Sequence, residues 1–378
     1  MMDKKMTAQV REAKISDLGS IIQLIQDLGL EVDSNQEDVI KKWYLYSVDN
    51  PANNEKQFPF GWVLELNAKI VGYFGTIHRK YHFGSQNISV AVASTWVVQK
   101  DFRSQVPLLC QSFFEQPDID LFLVTSAIKP TVRIFERFGG QPLPDVSYNK
   151  VFYWVFDSKS FVSSILQKIK CNPFISLVIQ SVLFPLYPFI NTFFSAFNGV
   201  SYENLDDITS WDPEKDKGFF DELWVEKMSA DHRFMAYRDQ EHIDWYSNLL
   251  SMKDNIKILI HRENDSLRGY LIFLKQETTE ISLKRFKIID FFAINDDIQI
   301  LDALFRKAYL EAKRDKGHIL ELVGGPKTIK EYFLKYRPLK RNFPVFPFYF
   351  MTPNKDLKNK LEILENWYPT LLDGDSGF

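Results

Sequence analysis

One order of β-rich and helical runs occurs twice in this chain of 378 residues, and that recurrence limits the fold more than any single motif. Residues 62–66 and 70–76, parted by Asn67-Ala68, read as a hairpin, and residues 88–98 as a third strand. A helix follows at about 107–114, with Pro107 suited to its first turn. Then come a strand at 121–125, a short helix KPTVRIFERFGG stopped at Gly139-Gly140, and a closing strand at 151–156. The same order returns with a hairpin at 256–260 and 267–274, a strand at 286–292 and a helix at 299–313. A strand at 319–323, the helical KTIKEYFLKY and a strand at 346–351 complete it. The spacings agree: Gly72 to Pro130 is 58 positions and Gly269 to Pro326 is 57, while Tyr73 to Phe135 and Tyr270 to Tyr332 are both 62. An ordered series of matches is the mark of a repeated unit. The reading is α/β, as two domains at 1–160 and 211–378 with a helical linker at 161–210. Ahead of the first hairpin, a strand at 10–15 leads into SDLGSIIQLIQDLGL. There Ser16 is the expected N-cap, and Ile21, Ile22, Leu24, Ile25 and Leu28 make one apolar face.

Composition closes off several classes of function. A net charge of −3 and a pI near 6.1 provide no cation excess for a nucleic acid. Two cysteines far apart, Cys110 and Cys171, support neither a disulfide framework nor a zinc ribbon, so no metal is expected. The opening MMDKKMTAQVREAKISDLGS has no apolar signal core, which predicts a cytoplasmic protein. Aromatics reach 15%, and their first use is core packing.

The linker is unusual. Residues 171–202 carry no charge, with Lys168 and Lys170 just before them and Pro173, Pro185 and Pro188 within. Three arrangements fit: two short helices packed between the domains, a segment lying in a membrane interface, or a span. The prolines favour short helices over a span. The expectation is peripheral contact with the inner membrane face.

The order β, α, three strands, α, β, α, β, with R-x-A-x-x-S-D before the first helix, resembles the GCN5-related N-acetyltransferase (GNAT) family. The resemblance implies two acyl-CoA N-acyltransferase-like domains in tandem, with mixed central sheets flanked by helices. It also implies acyl-CoA as co-substrate, bound where the third strand runs into a helix. The family's phosphate loop, Q/R-x-x-G-x-G/A, falls on Arg103-Ser104-Gln105-Val106-Pro107-Leu108. Val98, Arg103, Ser104, Gln105 and Val106 are therefore the implied cofactor-binding residues. Val106 and Leu108 replace both glycines and would crowd a phosphate drawn to the backbone. In the second domain the loop falls on residues 293–298, where Asp296 and Asp297 repel phosphate and suit a helix cap instead. The family's leaving-group tyrosine aligns with Phe135 in the first domain and Tyr332 in the second. Tyr332, with Asp290 as base, is the implied catalytic pair, facing one cleft.

A second resemblance runs through Phe220, Leu223, Trp224, Arg238, Asp239, Ile243, Trp245 and Tyr246, and through Trp367, Asp373 and Asp375. These are similar to motifs of GNAT-like proteins associated with bacterial surface-polysaccharide biosynthesis. The implied activity is transfer of an acyl group to an amine or hydroxyl of a glycan precursor, small or lipid-linked. Two alternatives stand beside it: a degenerate binding protein in polysaccharide assembly, and aminoacyl transfer to a cell-wall precursor.

Overall fold

The computed structural model of the protein describes residues 8–30, 36–54, 56–125, 129–144, 148–201, 203, 205–251, 256–342 and 348–374. In chain order the first part supplies β1 (Gln9–Glu12), α1 (Leu18–Asp27), α2 (Gln36–Ser47), β2 (Gly61–Leu66), β3 (Lys69–Phe83), β4 (Gln86–Val98), α3 (Val106–Phe114), β5 (Leu121–Val124), α4 (Lys129–Arg137), β6 (Gln141–Pro142) and β7 (Lys150–Val155). Three helices follow, α5 (Ser158–Lys168), α6 (Pro173–Leu183) and α7 (Tyr187–Asn198). The remainder holds β8 (Ile208–Ser210), α8 (Phe219–Ala230), β9 (Met235–Ala236), α9 (Gln240–Ser251), β10 (Ile256–Glu263), β11 (Ser266–Thr278), β12 (Leu283–Ala293), α10 (Ile298–Arg314), β13 (Ile319–Leu322), α11 (Lys327–Tyr332), β14 (Leu339–Asn342), β15 (Tyr349–Met351) and α12 (Lys355–Leu361).

Two mixed sheets form, so the α/β class stands. The first runs β1-β2-β3-β4-β5-β15-β6 with β9 on β3, and the second β14-β7-β13-β12-β11-β10-β8. In each, an antiparallel hairpin and third strand are followed by a helix that crosses over to a parallel fourth strand. Both hairpin turns place two residues at positive φ, Asn67-Ala68 and Asn264-Asp265, the twist that two-residue turns need. The first long helix begins at Leu18 after a turn that covers Ser16, so Asp17 stands where Ser16 was expected. Asp17 also accepts from the Lys14 backbone and pairs with Arg11 at 2.7 Å.

The closing strands are not where the sequence order puts them. β7, expected to close the first unit, lies between β14 and β13 of the second sheet. β15, expected to close the second, lies between β5 and β6 of the first. Local alternation marks a strand but carries no information about which sheet receives it. The exchange ties the halves together, and one core cluster runs through both. Trp245 of α9, for example, donates to the Leu45 carbonyl of α2 at 2.8 Å, and Tyr81 of β3 stacks on Phe234 at 4.5 Å.

The uncharged segment folds as two short helices, but they do not fill a groove between the halves. Phe174, Leu177, Val182, Phe184, Phe189 and Phe193 are each more than 60% exposed. Pro173–Ser195 is apolar and long enough to cross a membrane by length and composition, with only 6% of its most apolar stretch buried.

Candidate functional site

The first sheet opens at its centre. β4 pairs with β5 only from Val90 to Val92, yet β4 continues to Val98. Among the described residues no strand covers residues 93–98 on the β5 side. A bulge lies opposite Gly75, where an added Cβ would run into the Ser94 hydroxyl, and Ser94, Thr95 and Trp96 are half-buried beside it. Trp96 is wedged between Phe74 at 5.1 Å and Phe135 at 5.6 Å. Among the described residues the outer edge of β4 thus has no strand partner past Val92 and lies next to apolar walls, which suits an extended ligand with amides of its own.

Past Val98 the chain makes a 3-10 turn, Lys100–Gln105, and enters α3. Val98 is buried, and its place in the ladder is opposite Gly72. Arg103 and Ser104 are exposed, and Arg103 has no ion-pair partner among the described residues. The Gln105 side chain accepts from the Ala8 amide at 2.9 Å, and no side chain caps α3. An uncapped helix start with a free guanidinium nearby attracts an anion. Val106 does not crowd that end as expected, because its side chain is packed in the core cluster of the first sheet. Leu108 is exposed.

The second sheet has the same opening, and the chain itself fills it. β12 pairs with β13 up to Ile288 and runs on to Ala293. Into that gap comes the segment 367–373. The Tyr368 hydroxyl donates to the Phe291 carbonyl at 2.9 Å, the Gly325 amide to the Pro369 carbonyl at 2.6 Å, and Gly324 bridges Thr370. Gly324 and Gly325 have φ of 72° and 97°, and a Cβ on Gly325 would meet the Phe291 ring at 2.5 Å. The helix start is occupied as well: Asp297 caps α10 through the amides of Gln299 and Ile300. Asp296 pairs with Lys227 at 2.6 Å and Arg233 at 2.8 Å.

The structure does not bring Asp290 and Tyr332 together. Gly269 abuts Ile300 of α10, so its neighbour Tyr270 faces away from α10, and with it Phe292 and Asp290 in the paired register. The Asp290 carboxylate is fully buried there, held by Arg238 at 2.9 and 3.0 Å and by the Tyr270 hydroxyl at 2.6 Å. Tyr332 is half-buried on the α10 side, its hydroxyl bonded by Lys335, which also pairs with Asp302 of α10 at 2.6 Å. The two side chains lie on opposite sides of the sheet, so the expected common cleft is absent for this pair.

Asp290 belongs instead to a polar cluster where the halves meet. Arg238 also donates to Ala236 and Thr370. Arg79 of β3 donates to the Leu372 carbonyl and the Tyr246 hydroxyl, and Tyr81 to the Asp373 carbonyl. Burial pushes the Asp373 carboxyl up from its ordinary range, while Arg238 and Arg79 draw it back. Sequence reasoning missed Arg79 and Tyr81, which sit in an ordinary strand pattern. The signal that could have found the cluster is the motif through Arg238, Trp245, Tyr246 and Trp367, all buried, whose residues serve packing. Asp375 lies outside the described residues. Gly374 rests against Thr125 at the end of β5, so the segment that fills the second opening leads to the mouth of the first.

No protein-family model and no curated protein sequence matches the chain. Solved structures do. A GCN5-related N-acetyltransferase from Anabaena variabilis superposes with a TM-score of 0.57 at 11% identity, covering 92% of this chain and 73% of its own. One from Kribbella flavida gives 0.55 at 9% identity, with 91% and 71% covered. Saccharomyces cerevisiae N-myristoyltransferase, solved with bound myristoyl-CoA, gives 0.53 at 11% identity, with 92% and 79% covered. The chain therefore shares the fold of GCN5-related N-acetyltransferases and of N-myristoyltransferase.

Proposed function

We propose that the protein is an acyltransferase that takes its acyl group from an acyl-CoA held in the first sheet. The carrying observation is the uncovered edge of β4 running into an uncapped α3 beside Arg103. A pantetheine arm has amides to bond that edge, and a pyrophosphate suits the helix start. The fold likeness to structures solved as acetyltransferases and as N-myristoyltransferase with myristoyl-CoA supports this reading. The acceptor is an amine or hydroxyl of a glycan precursor, and a lipid-linked one accounts best for the exposed α6 and α7.

Those helices rest on the inner face of the membrane. Burying their side chains at about 25 cal/mol per Å² gives several kcal/mol, and Lys168 and Lys170 add roughly 1 kcal/mol each near anionic lipid. A second reading, a binding protein without turnover, is favoured by one feature: exposed Leu108 stands where the family has a glycine.

Calorimetry with coenzyme A decides the donor site. Wild type should bind, and Arg103→Ala should bind at least about tenfold more weakly, since a charge-assisted bond contributes about 1.5–3 kcal/mol. Equal affinity for the two proteins rejects the placement. Liposome flotation of wild type against a Phe174→Ser, Phe189→Ser, Phe193→Ser variant tests the membrane contact. Wild type that stays soluble rejects it.

A further inference from the structure

A second hollow, of about 440 Å³, lies on the second sheet under α5, away from the wedge at β12. Its walls are of two kinds. Phe161, Ile165, Ile281, Leu283 and Ile319 make one side apolar. On the other, Lys168, Arg285, Lys287 and Arg341 outnumber Glu280 and Glu321. The carboxylate of Glu321 is almost fully buried and takes Arg341 at 2.9 Å on one oxygen, while its other oxygen is buried with no hydrogen-bond partner among the described residues. Lys287 makes no hydrogen bond or ion pair among the described residues. Arg285 bonds Gln276 and Thr278 through one terminal nitrogen, and its Nε is buried without a partner among the described residues. A buried acceptor and a buried donor left unmatched beside the unpaired Lys287 ammonium are costly unless a ligand completes them. The matching ligand carries a phosphate for Lys287 and Arg285, a hydroxyl to donate to Glu321, and an apolar tail.

We propose that this hollow binds the phosphoglycerol headgroup of a membrane phospholipid. The source follows from continuity, and rests on the membrane contact proposed for α6 and α7. Ile165 of α5 both lines the hollow and is 42% exposed, and Ile169 at 65% continues the same apolar surface toward Phe174 and α6. A lipid drawn into the hollow can therefore keep its tails against the helices that lie on the bilayer. Beyond Arg341 the exposed side chains stay mostly basic, with Lys150, Lys327 and Lys340 against Glu331 around a neighbouring hollow of about 460 Å³.

The test uses the whole protein and two variants. Lys287→Met removes a poorly solvated charge, and Ile165→Trp narrows the mouth from a half-exposed position without disturbing the core; thermal unfolding checks that both are folded. By calorimetry, wild type should bind soluble dihexanoyl phosphatidylglycerol, and each variant at least about tenfold more weakly, as expected when a charge-assisted contact or its access is lost. Dihexanoyl phosphatidylcholine should bind weakly to all three. Equal binding of dihexanoyl phosphatidylglycerol by wild type and both variants overturns the proposal, as does no binding by wild type. If sn-glycerol 3-phosphate binds as tightly as the short-chain lipid, the apolar wall is not part of the site and the lipid assignment falls. Sedimentation with phosphatidylcholine vesicles, with and without phosphatidylglycerol, separates the two readings. Wild type should prefer the anionic vesicles, and Lys287→Met should keep only the smaller preference that Lys168 and Lys170 supply, while still sedimenting through α6 and α7. Wild type that binds the soluble lipid but neither vesicle rejects the membrane contact alone.

Discussion

The two sheets meet the same structural problem with opposite outcomes. Each has a long third strand that outruns its parallel neighbour, leaving a wedge with unpaired peptide groups, and each leads past that wedge into a helix. In the second sheet the wedge holds residues 367–373, the helix start is capped by Asp297, and the polar side chain within, Asp290, is paired with Arg238. In the first sheet the wedge is lined by half-buried Ser94, Thr95 and Trp96, and among the described residues no side chain caps the helix and none pairs with Arg103. A wedge is a cost that a fold meets with its own chain or leaves for a ligand. The second sheet meets that cost with its own chain, and the binding role proposed for the first rests on the difference.

The largest effect should come from breaking the filled wedge. Asp290→Ala strands Arg238 as an uncompensated buried charge, and the expected loss of unfolding free energy in urea is about 3–5 kcal/mol. Replacing both partners, Arg238→Met with Asp290→Leu, should recover a good part of it. A single-variant loss under about 1 kcal/mol, the level of a solvated pair, would mean that the second wedge is open to water and the contrast is false. The converse change gives the first sheet the acid of the second. Gln105→Asp puts a carboxylate at the start of α3, where α10 has Asp297. Stability should move little, since a cap bond is gained and the bond to Ala8 is lost. Coenzyme A affinity by calorimetry should fall about tenfold or more, because a fixed carboxylate repels the pyrophosphate. Unchanged affinity would place the donor elsewhere.

Much of this contrast is legible in the amino-acid sequence. Asp296 and Asp297 against Arg103 and Ser104 already set the two helix starts apart in charge, because charge at a helix terminus is written in local sequence. The hairpins are legible for the same reason, through alternation and two-residue turns. The exchange of β7 and β15 is not, since Val151 and Phe350 alternate as any buried strand does and the pairing is set by contacts some two hundred positions apart. Aligning Asp290 and Tyr332 to one fold gives no sign of the bulge between Ile272 and Phe273, which helps decide the face on which Asp290 emerges. Nor can the sequence show that Arg238 and Thr370, distant in the chain, close around that carboxylate.

A smaller effect concerns pH at the far end of the second sheet, which retains one titrating cation. Burial, then Arg285, pulls the Lys287 ammonium down to about 8, with Glu321 opposing and Arg341 adding to the fall. The other charged and titratable groups facing the hollow are Arg285, Arg341, Lys168, Glu280, Glu321 and Tyr153, whose phenol burial raises. An anion prefers the ammonium form, so binding of dihexanoyl phosphatidylglycerol should be strongest below pH 8 and weaken as pH rises through it. The loss is on the order of 1 kcal/mol, the worth of one cation near a phosphate. In Lys287→Met the affinity should be flat over the same range. The folded state alone should behave oppositely: its Lys287 gives up a proton that the unfolded chain keeps up to about 10.4, so stability rises modestly between those two values.

The smallest effect is expected at Tyr332. Its hydroxyl touches only Lys335 among the described residues, on the α10 side of the sheet, and Lys335 keeps its pair with Asp302 when that contact is lost. Tyr332→Phe should therefore change unfolding free energy by less than about 0.5 kcal/mol, as for an ordinary half-exposed substitution. It should also leave acyl transfer from an acyl-CoA unchanged, because the filled wedge of the second sheet keeps substrate away from that face. A measured fall in turnover with binding intact would carry a specific meaning: the hydroxyl supplies a proton needed only in the transition state. The chemistry would then belong to the second sheet, and the division of labour between the two wedges would have to be reversed.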